Sequence, residues 1–285
     1  VARVMEASKC YLKQHENDER SFLWIDCFDP HEPWNPPEPF THMYNPGYEG
    51  IDLVSPQPGR IDGFLTDEEL FNTRSLYAGE VTLVDKYVGE LMQFLEEEQM
   101  LDDTMVILTS DHGVPLGESH DKQHYGIIKK AEPWLFRELV RIPLIIKHPD
   151  GHGDGKSRDE IVLTCDIMPT ILDYFNISTP NVCDGKSLMK IMKDQPNGRR
   201  DAAFIGKFAE SISIRTREYS FHLWDGDKPG LYDLTSDACE KKNILEEERS
   251  IATELQEKLR QQYKNICRKH DYERPADFRT FNLLG

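Results

Sequence analysis

The segment 104–113 constrains the fold most, because it changes from apolar to polar at one point. Its letters are TMVILTSDHG, so a short run of aliphatic and β-branched residues leads directly into serine, aspartate, histidine and glycine. Such a run is typical of a buried strand, and α/β folds place functional residues in the loops that follow their strands. The segment therefore predicts a core strand with a functional loop at its carboxyl end.

Two further apolar runs, 21–28 and 141–148, are predicted to be strands buried on both faces. The longest predicted helix covers 66–100, because Thr-Asp-Glu-Glu at its start is a capping signal and apolar residues recur with helical spacing. Shorter helices are predicted over 166–175 and 187–193. The positions expected in the core strands are Trp24, Ile25, Val106, Ile107, Leu108, Leu144, Ile145 and Ile146.

After residue 195 the pattern changes to short alternating segments, such as SISIRTR and YSFHLW, separated by turn signals. Alternation with a period of two is typical of antiparallel strands that bury one face. A segment rich in Glu, Lys and Gln over 248–266 is predicted to be a helix. The predicted fold class is therefore α/β, with a core sheet and flanking helices over 1–195 and a small C-terminal subdomain of antiparallel sheet and helix over 196–285.

The balance of charge excludes one class of partner. The sequence has 34 Lys and Arg against 51 Asp and Glu, which makes the formal net charge −17. A protein that binds a nucleic acid backbone needs a basic surface, so nucleic acid is not expected as a partner. No apolar run approaches the roughly 18 residues that suggest a membrane-spanning helix, and no membrane span is predicted.

Asp111 and His112 form the sharpest candidate site. A carboxylate and an imidazole side by side at a strand tip are suitable ligand types for a divalent cation, and Gly113 behind them allows close backbone approach. The alternative is an aspartate in a turn beside a surface histidine. The tripeptide alone leaves both interpretations open.

His31 lies in a second loop, DPHEPW, where prolines on both sides restrict the backbone. A fixed imidazole can donate to an anionic oxygen or protonate a leaving group, although packing alone would also hold a histidine there. Cationic residues also collect between 120 and 144, and lysine acts as a point charge for sulfate or phosphate. This group predicts an anionic substrate, unless its lysines are simply solvated. Its members are His120, Lys122, His124, Lys129 and Lys130.

The order of several motifs resembles the C-terminal two thirds of a sulfatase of the alkaline phosphatase superfamily, from about Phe22 to Leu259. Any one of these motifs is a weak signal, but many in one order are a strong one. In chain order the motifs are DPHEPW, LYAGEVTLVDKYVG, DDTMVILTSDHG, a loop with lysines, RIPLII, DIMPTIL and GLYDLTSD. The resemblance implies an alkaline-phosphatase-like core sheet.

The resemblance also implies roles for individual residues. Asp111 and His112 would be ligands of one divalent cation, usually calcium in sulfatases, with manganese or magnesium as alternatives. His31 would contact the ester or leaving-group oxygen. Lys130 would bind the sulfate, with Lys129 as the alternative, because the register of the preceding loop departs from the family's common form.

One part of the family pattern is missing from this sequence. Sulfatases carry near their N-terminus an aspartate pair that ligates the metal and a Cys or Ser in C/S-x-P-x-R, which is oxidised to formylglycine, whose hydrate attacks sulfur. No cysteine here begins such a motif, and the nearest string, PQPGR over 56–60, has proline at the nucleophile's place. Without a nucleophile there is no covalent step, so this chain alone is expected to be inactive. A missing N-terminal segment or a companion chain is expected to supply it.

The expected function is hydrolysis of a sulfate ester on a small molecule or a sugar. The alternative within the superfamily is a phosphonate monoester or phosphodiester hydrolase, because its site also sets a tetrahedral anion against a cation and a lysine. From a different class, the chain could be a non-catalytic fragment or binding protein with the same fold. Exported, lysosomal and cytoplasmic locations all remain open.

Overall fold

The computed structural model describes residues 1–61, 64–118, 126–130, 134–195, 200–207, 211–224 and 228–271. The chain forms two compact units. The first contains residues 1–106 and 148–150, and the second contains residues 107–147 and the chain from 151 onward. The domain boundary predicted between residues 195 and 196 falls inside the second unit and stays a prediction.

The first unit is built on two helices and one short strand. Helix α1 covers Ala2–Gln14, strand β1 covers Gly59–Arg60 and helix α2 covers Asp67–Glu97. At the start of α2 the amide of Glu69 donates to the Thr66 hydroxyl at 3.2 Å, and the amide of Thr66 donates to the Glu69 carboxylate at 2.8 Å. These two bonds confirm the predicted capping box.

The segment 21–28 differs from its prediction. This segment does not form a strand. Ile25 and Cys27 pack against the apolar cluster between α1 and α2, whereas Trp24 is 66% exposed and Phe28 is also exposed. The predicted strand buried on both faces, with Trp24 in the core, is therefore wrong. An apolar run does not reveal whether another segment covers its second face.

Four short strands come next along the chain. β2, Val106–Thr109, and β5, Leu144–Lys147, form a two-stranded sheet where the apolar runs predicted strands. β3, Leu116–Glu118, pairs antiparallel with β4, Ile127–Ile128. Ile145 of β5 is 64% exposed. Its predicted core position is wrong, because successive residues of a strand point to opposite faces and each face needs its own cover.

Short helices follow these strands. α3 covers Arg137–Val140, α4 covers Ile167–Tyr174 and α5 covers Met189–Met192. A 3-10 turn at Thr164–Asp166 leads into α4. The helices predicted over this region are α4 and α5, and each is shorter than its prediction.

The C-terminal part of the second unit is a four-stranded antiparallel sheet with one helix. Helix α6 covers Arg249–His270. The strands lie side by side in chain order. Both features confirm the predicted C-terminal architecture. The strands are β6, Ala203–Lys207; β7, Ser211–Arg215; β8, Tyr219–Trp224; and β9, Gly230–Asp233.

One face of this sheet forms an apolar core with α6. Ile214 of β7, Phe221 of β8 and Leu231 of β9 are fully buried. They form one cluster with Leu255 and Leu259 of α6. Burial of this kind contributes about 1.5–3 kcal/mol for each large apolar side chain, so α6 stabilises the sheet through this face.

The two longest helices are α2, with 31 residues, and α6, with 22. Both carry charged side chains along their length. Among the helices in the described ranges, none is long and apolar enough to cross a membrane.

Candidate active site

Asp111 and His112 lie directly after β2, where the sequence predicted a functional loop. His112 Nε2 is 3.5 Å from Asp111 Oδ2. The amide of His112 donates to Asp111 Oδ1 at 2.9 Å, and the Ser110 hydroxyl donates to the His112 carbonyl at 2.8 Å. The Asp111 side chain is 85% exposed and that of His112 is 33% exposed. Both side chains are therefore accessible to an ion or a ligand.

Gly113 holds this loop against α3. Its amide donates to the carbonyl of Leu139 at 2.7 Å. A Cβ at position 113 would lie 2.0 Å from the carbonyl oxygen of Glu138, which is far inside contact distance. Only glycine therefore fits here, for the reason of close backbone approach that the sequence suggested.

The two nitrogens of His112 have different partners. Nδ1 lies 2.7 Å from the carbonyl oxygen of Gly113, which can only accept, so Nδ1 carries the proton. Nε2 then has a lone pair. Nζ of Lys130 lies 2.7 Å from Nε2, and the ammonium donates to it. The fold therefore brings Lys130 into direct contact with His112.

Lys129 and Lys130 differ in their surroundings. Lys129 has a φ of 61°, a left-handed conformation that is uncommon for a residue with a side chain. Its amide donates to the carbonyl of Pro115 at 2.8 Å, and the residue is only 9% exposed. Lys130 follows this bend and is less buried. The geometry thus places Lys130, rather than Lys129, against His112.

A buried carboxylate ties α3 to the four-stranded sheet. Oε2 of Glu240 accepts from the Arg137 amide at 2.8 Å. Oε1 accepts from Arg215, Ser220 and His222 at 2.6, 2.6 and 2.9 Å. Burial alone would raise the pKa of Glu240, but the hydrogen bond and charge of His222 and the charge of Arg215 outweigh it and hold that pKa well below its usual range. Sequence reasoning missed Glu240, because a glutamate in the turn DACEKK resembles a solvated charge.

His31 belongs to the first unit, where Trp34 anchors its loop. The Trp34 side chain is fully buried, and its Nε1 donates to the Pro30 carbonyl at 3.2 Å. His31 Nδ1 lies 2.8 Å from the carbonyl oxygen of Glu32. The imidazole also lies against Phe28, with 4.5 Å between ring centroids. Several local contacts therefore define the position of His31 within its loop.

Glu80 of α2 holds the next residue of this loop. Its Oε1 accepts from the amide of Asn35 at 3.0 Å. Its Oε2 is buried and has no hydrogen-bond partner in the part of the chain that the structure describes. Burial, with the nearby charge of Asp29, raises the pKa of Glu80. A buried carboxylate on α2 thus helps to hold the loop that carries His31.

Asp111, His112 and Lys130 lie together after β2 and β4, with Lys129 next to them along the chain. His31 lies in the other unit. The functional roles of these five residues stay predictions. The remaining cationic residues of the predicted group lie outside the described residues; they are His120, Lys122 and His124.

Asp111 and His112 fit a divalent cation by the type of their donor atoms. They offer a carboxylate oxygen and a neutral imidazole nitrogen. The bond from His112 Nδ1 to a carbonyl defines the tautomer and leaves Nε2 for a metal, as is usual for metal-binding histidines. Calcium takes roughly six to eight ligand atoms, so other ligands would have to complete a site with these two residues.

Two family profiles match the sequence. One is described as Sulfatase and matches residues 2–177. The other is described as N-sulphoglucosamine sulphohydrolase, C-terminal, and matches residues 124–269. Each covers more than half of the 285 residues.

Curated relatives carry sulfatase names. An arylsulfatase of Clostridium perfringens is 26% identical over 269 residues, which cover 86% of this chain and 53% of that protein. An N-acetylglucosamine-6-O-sulfatase of Bacteroides thetaiotaomicron is 28% identical over 207 residues, which cover 66% of this chain and 36% of that protein. The chain thus spans about half the length, or less, of these two relatives.

Solved structures share the fold. A phosphonate monoester hydrolase of Agrobacterium radiobacter superposes with a TM-score of 0.72 at 24% identity and covers 92% of this chain and 60% of its own. A protein solved in complex with its substrate D-glucosamine-2-N,6-O-disulfate superposes with a TM-score of 0.77 at 19% identity and covers 95% of this chain and 70% of its own.

The profiles, the relatives and the fold agree with the order of motifs in the sequence. The two profiles together extend from residue 2 to residue 269. The phosphonate monoester hydrolase and the protein bound to a disulfated glucosamine both share the α/β architecture of this chain. The chain belongs to the sulfatase family, within the alkaline phosphatase superfamily.

Proposed function

We propose that the protein hydrolyses a sulfate ester at a divalent cation. The observation that carries this proposal is the 2.7 Å contact between Lys130 Nζ and His112 Nε2 beside Asp111, in a chain of the sulfatase family. This contact sets an ammonium group next to two candidate metal ligands. A metal ion and a lysine ammonium can together bind one sulfate group.

In this proposal Asp111 and His112 are two ligands of one cation, with calcium as the first candidate. Other oxygen ligands, from protein, substrate or water, would complete the coordination. When bound, the cation supplies positive charge that polarises the oxygens of the ester group. The bond from His112 Nδ1 to the Gly113 carbonyl holds the ring in the tautomer that a ligand needs.

Lys130 binds a sulfate oxygen and offsets the negative charge of the reacting group. Its contact with His112 supports this choice over Lys129, whose side chain is nearly buried. When the imidazole binds the cation, Nε2 no longer accepts from Lys130. The Lys130 ammonium is then able to donate to the substrate instead.

His31 is assigned to the leaving-group oxygen by the resemblance to sulfatases. Its Nδ1 is engaged by the Glu32 carbonyl, so its contact with the substrate uses Nε2. In the proposed reaction a nucleophile from outside this chain, a formylglycine hydrate, forms a bond to sulfur. The bond from sulfur to the ester oxygen breaks, and His31 provides the proton that the leaving oxygen needs. The sulfated hydrate would then release inorganic sulfate as its second hydroxyl group loses a proton and the aldehyde forms, and water would restore the hydrate.

The proposed substrate class is a sulfated sugar or an aryl sulfate. Relatives are named as an arylsulfatase and an N-acetylglucosamine-6-O-sulfatase, and one structural relative was solved with a sulfated glucosamine. The test is release of inorganic sulfate from 4-nitrophenyl sulfate and from N-acetylglucosamine 6-sulfate by the full-length product of the gene.

Three lysine variants of that protein sharpen the test. We expect Lys130→Ala to lower kcat/KM by about 10²–10³, the usual effect of removing one group that stabilises transition-state charge. Lys258→Ala, on the exposed side of α6, removes the same charge and should have no effect. A loss in Lys129→Ala that equals or exceeds the loss in Lys130→Ala would contradict the assignment of Lys130.

Removal of the metal tests the other half of the site. Dialysis against a chelator should abolish sulfate release, and added calcium, manganese or magnesium should restore it to different extents. Asp111→Asn should weaken binding of the restoring metal, because a neutral amide replaces a charged ligand. Full activity in the chelated protein, with no metal found by elemental analysis, would overturn the proposal.

Hydrolysis of a phosphonate monoester is the second candidate. The favouring observation is the likeness to the phosphonate monoester hydrolase, with a TM-score of 0.72. The two candidates are separated by parallel assays with 4-nitrophenyl sulfate and 4-nitrophenyl phenylphosphonate. A higher kcat/KM for the phosphonate would favour the second candidate over the first.

A further inference from the structure

One end of the four-stranded sheet lies against the lysine segment of the candidate site. Lys207, the last residue of β6, places its Nζ 3.4 Å from the carbonyl oxygen of Lys130. Ile127, at the start of the same segment, is buried in one cluster with Trp224, the last residue of β8. Two independent contacts therefore bring this end of the sheet to Lys130.

The strand register groups three side chains at this end. Lys207 pairs with Ser211, and Ser211 pairs with Trp224. Directly paired residues of antiparallel strands place their side chains on the same face of the sheet. Lys207, Ser211 and Trp224 therefore form one row on the face opposite the apolar core with α6.

Ser211 supplies a second polar group in this row. Ser211 is only 1% exposed. Its hydroxyl has no hydrogen-bond partner within the described ranges, which exclude 208–210. A buried hydroxyl without a partner is unfavourable, so an acceptor at this position would be stabilising.

The charges at this place contrast with the rest of the molecule. The protein has a formal net charge of −17, yet Lys130 contacts His112 and Lys207 contacts the backbone of Lys130. One ammonium is enough for the ester group that is cleaved. A second ammonium, next to a hydroxyl, suits a further group with several acceptor oxygens.

We infer that Lys207 is a specificity-determining residue that binds a second sulfate group of the substrate, beside the sulfate ester that Lys130 binds. This inference rests on the proposed function, because it takes Lys130 as the ligand of the reacting sulfate. The ligand class is a sugar that carries two sulfate groups on one ring. Lys207 acts through binding and takes no part in bond cleavage.

The test compares two probes that differ at one position. D-Glucosamine-2-N,6-O-disulfate carries a second sulfate where N-acetylglucosamine 6-sulfate carries an acetyl group. Binding of both to the full-length protein is measured by isothermal titration calorimetry, and sulfate release is measured in parallel. We expect Lys207→Gln to raise the Kd and KM for the disulfate about tenfold, which corresponds to about 1.4 kcal/mol, because the variant loses one charged hydrogen bond to the second sulfate.

The kcat for the disulfate and the binding of the monosulfate should stay nearly unchanged. Lys207→Arg keeps the charge and should retain most of the affinity for the disulfate. Lys258→Ala, on the solvent side of α6, is the control for the change in net charge.

Each outcome decides the inference. An unchanged Kd for the disulfate in Lys207→Gln overturns it, and so does an equal loss for both probes, because that would show a general effect through Lys130. If the protein binds the disulfate selectively through Lys207 but releases no sulfate, the inference about Lys207 is supported and the proposed hydrolysis is contradicted. Calorimetry thus separates the failure of one from the failure of the other.

Discussion

The two faces of the C-terminal sheet are held by different kinds of interaction. On one face Ile214, Phe221 and Leu231 pack against Leu255 of α6 with apolar side chains alone. On the other face the buried Glu240 accepts hydrogen bonds from Arg137, Arg215, Ser220 and His222. The first face depends on volume and burial, and the second depends on specific partners.

This difference shows how one sheet serves both stability and the site. The apolar face attaches the sheet to α6, whose last turn binds Asp184 through Lys269 and His270. The polar face reaches α3 through the amide of Arg137, and α3 carries the Leu139 carbonyl that accepts from the Gly113 amide. Changes on the polar face should therefore affect activity as well as stability.

The largest expected effect is the loss of the carboxylate on the polar face. Glu240→Ala should lower the free energy of unfolding by about 4 kcal/mol, because it leaves the half-buried Arg215, the buried His222 and two further donors without their acceptor. Urea unfolding of the full-length protein measures this change. Glu257→Ala, an exposed residue of α6, is the matched control and should have little effect. A loss below about 1 kcal/mol in Glu240→Ala would contradict the role of this network.

Shortening a side chain on the apolar face should lower the free energy of unfolding by a somewhat smaller amount. Leu255→Ala should lower the free energy of unfolding by about 3 kcal/mol through lost burial and a cavity. Below the unfolding temperature, kcat/KM for sulfate release should stay close to that of the unchanged protein. Reduced kcat/KM in the folded Leu255→Ala protein would show that the two faces are not independent.

Acidity should weaken the polar face selectively. The pKa of Glu240 is lowered in the folded state, so its charge stabilises the fold at pH values above its ordinary pKa of 4.5. This contribution is lost as the pH falls through the lowered pKa. The stability difference between the unchanged protein and Glu240→Gln should therefore shrink as the pH falls below about 4.5. A difference that grows on acidification would show that the charge of Glu240 is unfavourable.

Two serines of the polar face should give the smallest effects and the finest comparison. Ser220 donates to Glu240 at 2.6 Å, so Ser220→Ala should cost about 1 kcal/mol. Ser213 is buried, and its hydroxyl has no partner among the residues that the structure describes. Ser213→Ala should therefore be neutral or slightly stabilising. Thermal unfolding of the two variants side by side measures the difference, and equal losses would mean that the Ser220 bond adds nothing.

Local patterns predicted the elements of the fold well. The capping residues Thr66 and Glu69 begin α2, and the alternating segments after residue 195 form β6 to β9. The Asp-His-Gly tip does follow a strand, and Gly113 does allow close backbone approach. These features depend on hydrogen bonds and side-chain spacing within a few residues, so the sequence contains them directly.

Burial was predicted less well. Trp24 and Ile145 stand in apolar runs, yet both are mostly exposed. An apolar residue is buried only if a distant segment covers it, and periodicity carries no information about that segment. For the same reason the candidate site could be predicted as a set of residue types, but not as a set of contacts.

The sequence by itself determined the residue types, the order of the motifs and the family resemblance, because these depend only on neighbours along the chain. The tertiary structure decided that Lys130, rather than Lys129, contacts His112, and that Glu240 is a buried acceptor. It also brought Lys207 to the carbonyl of Lys130. Each of these contacts joins residues far apart in the chain, and only the packing of the folded protein defines which distant groups meet.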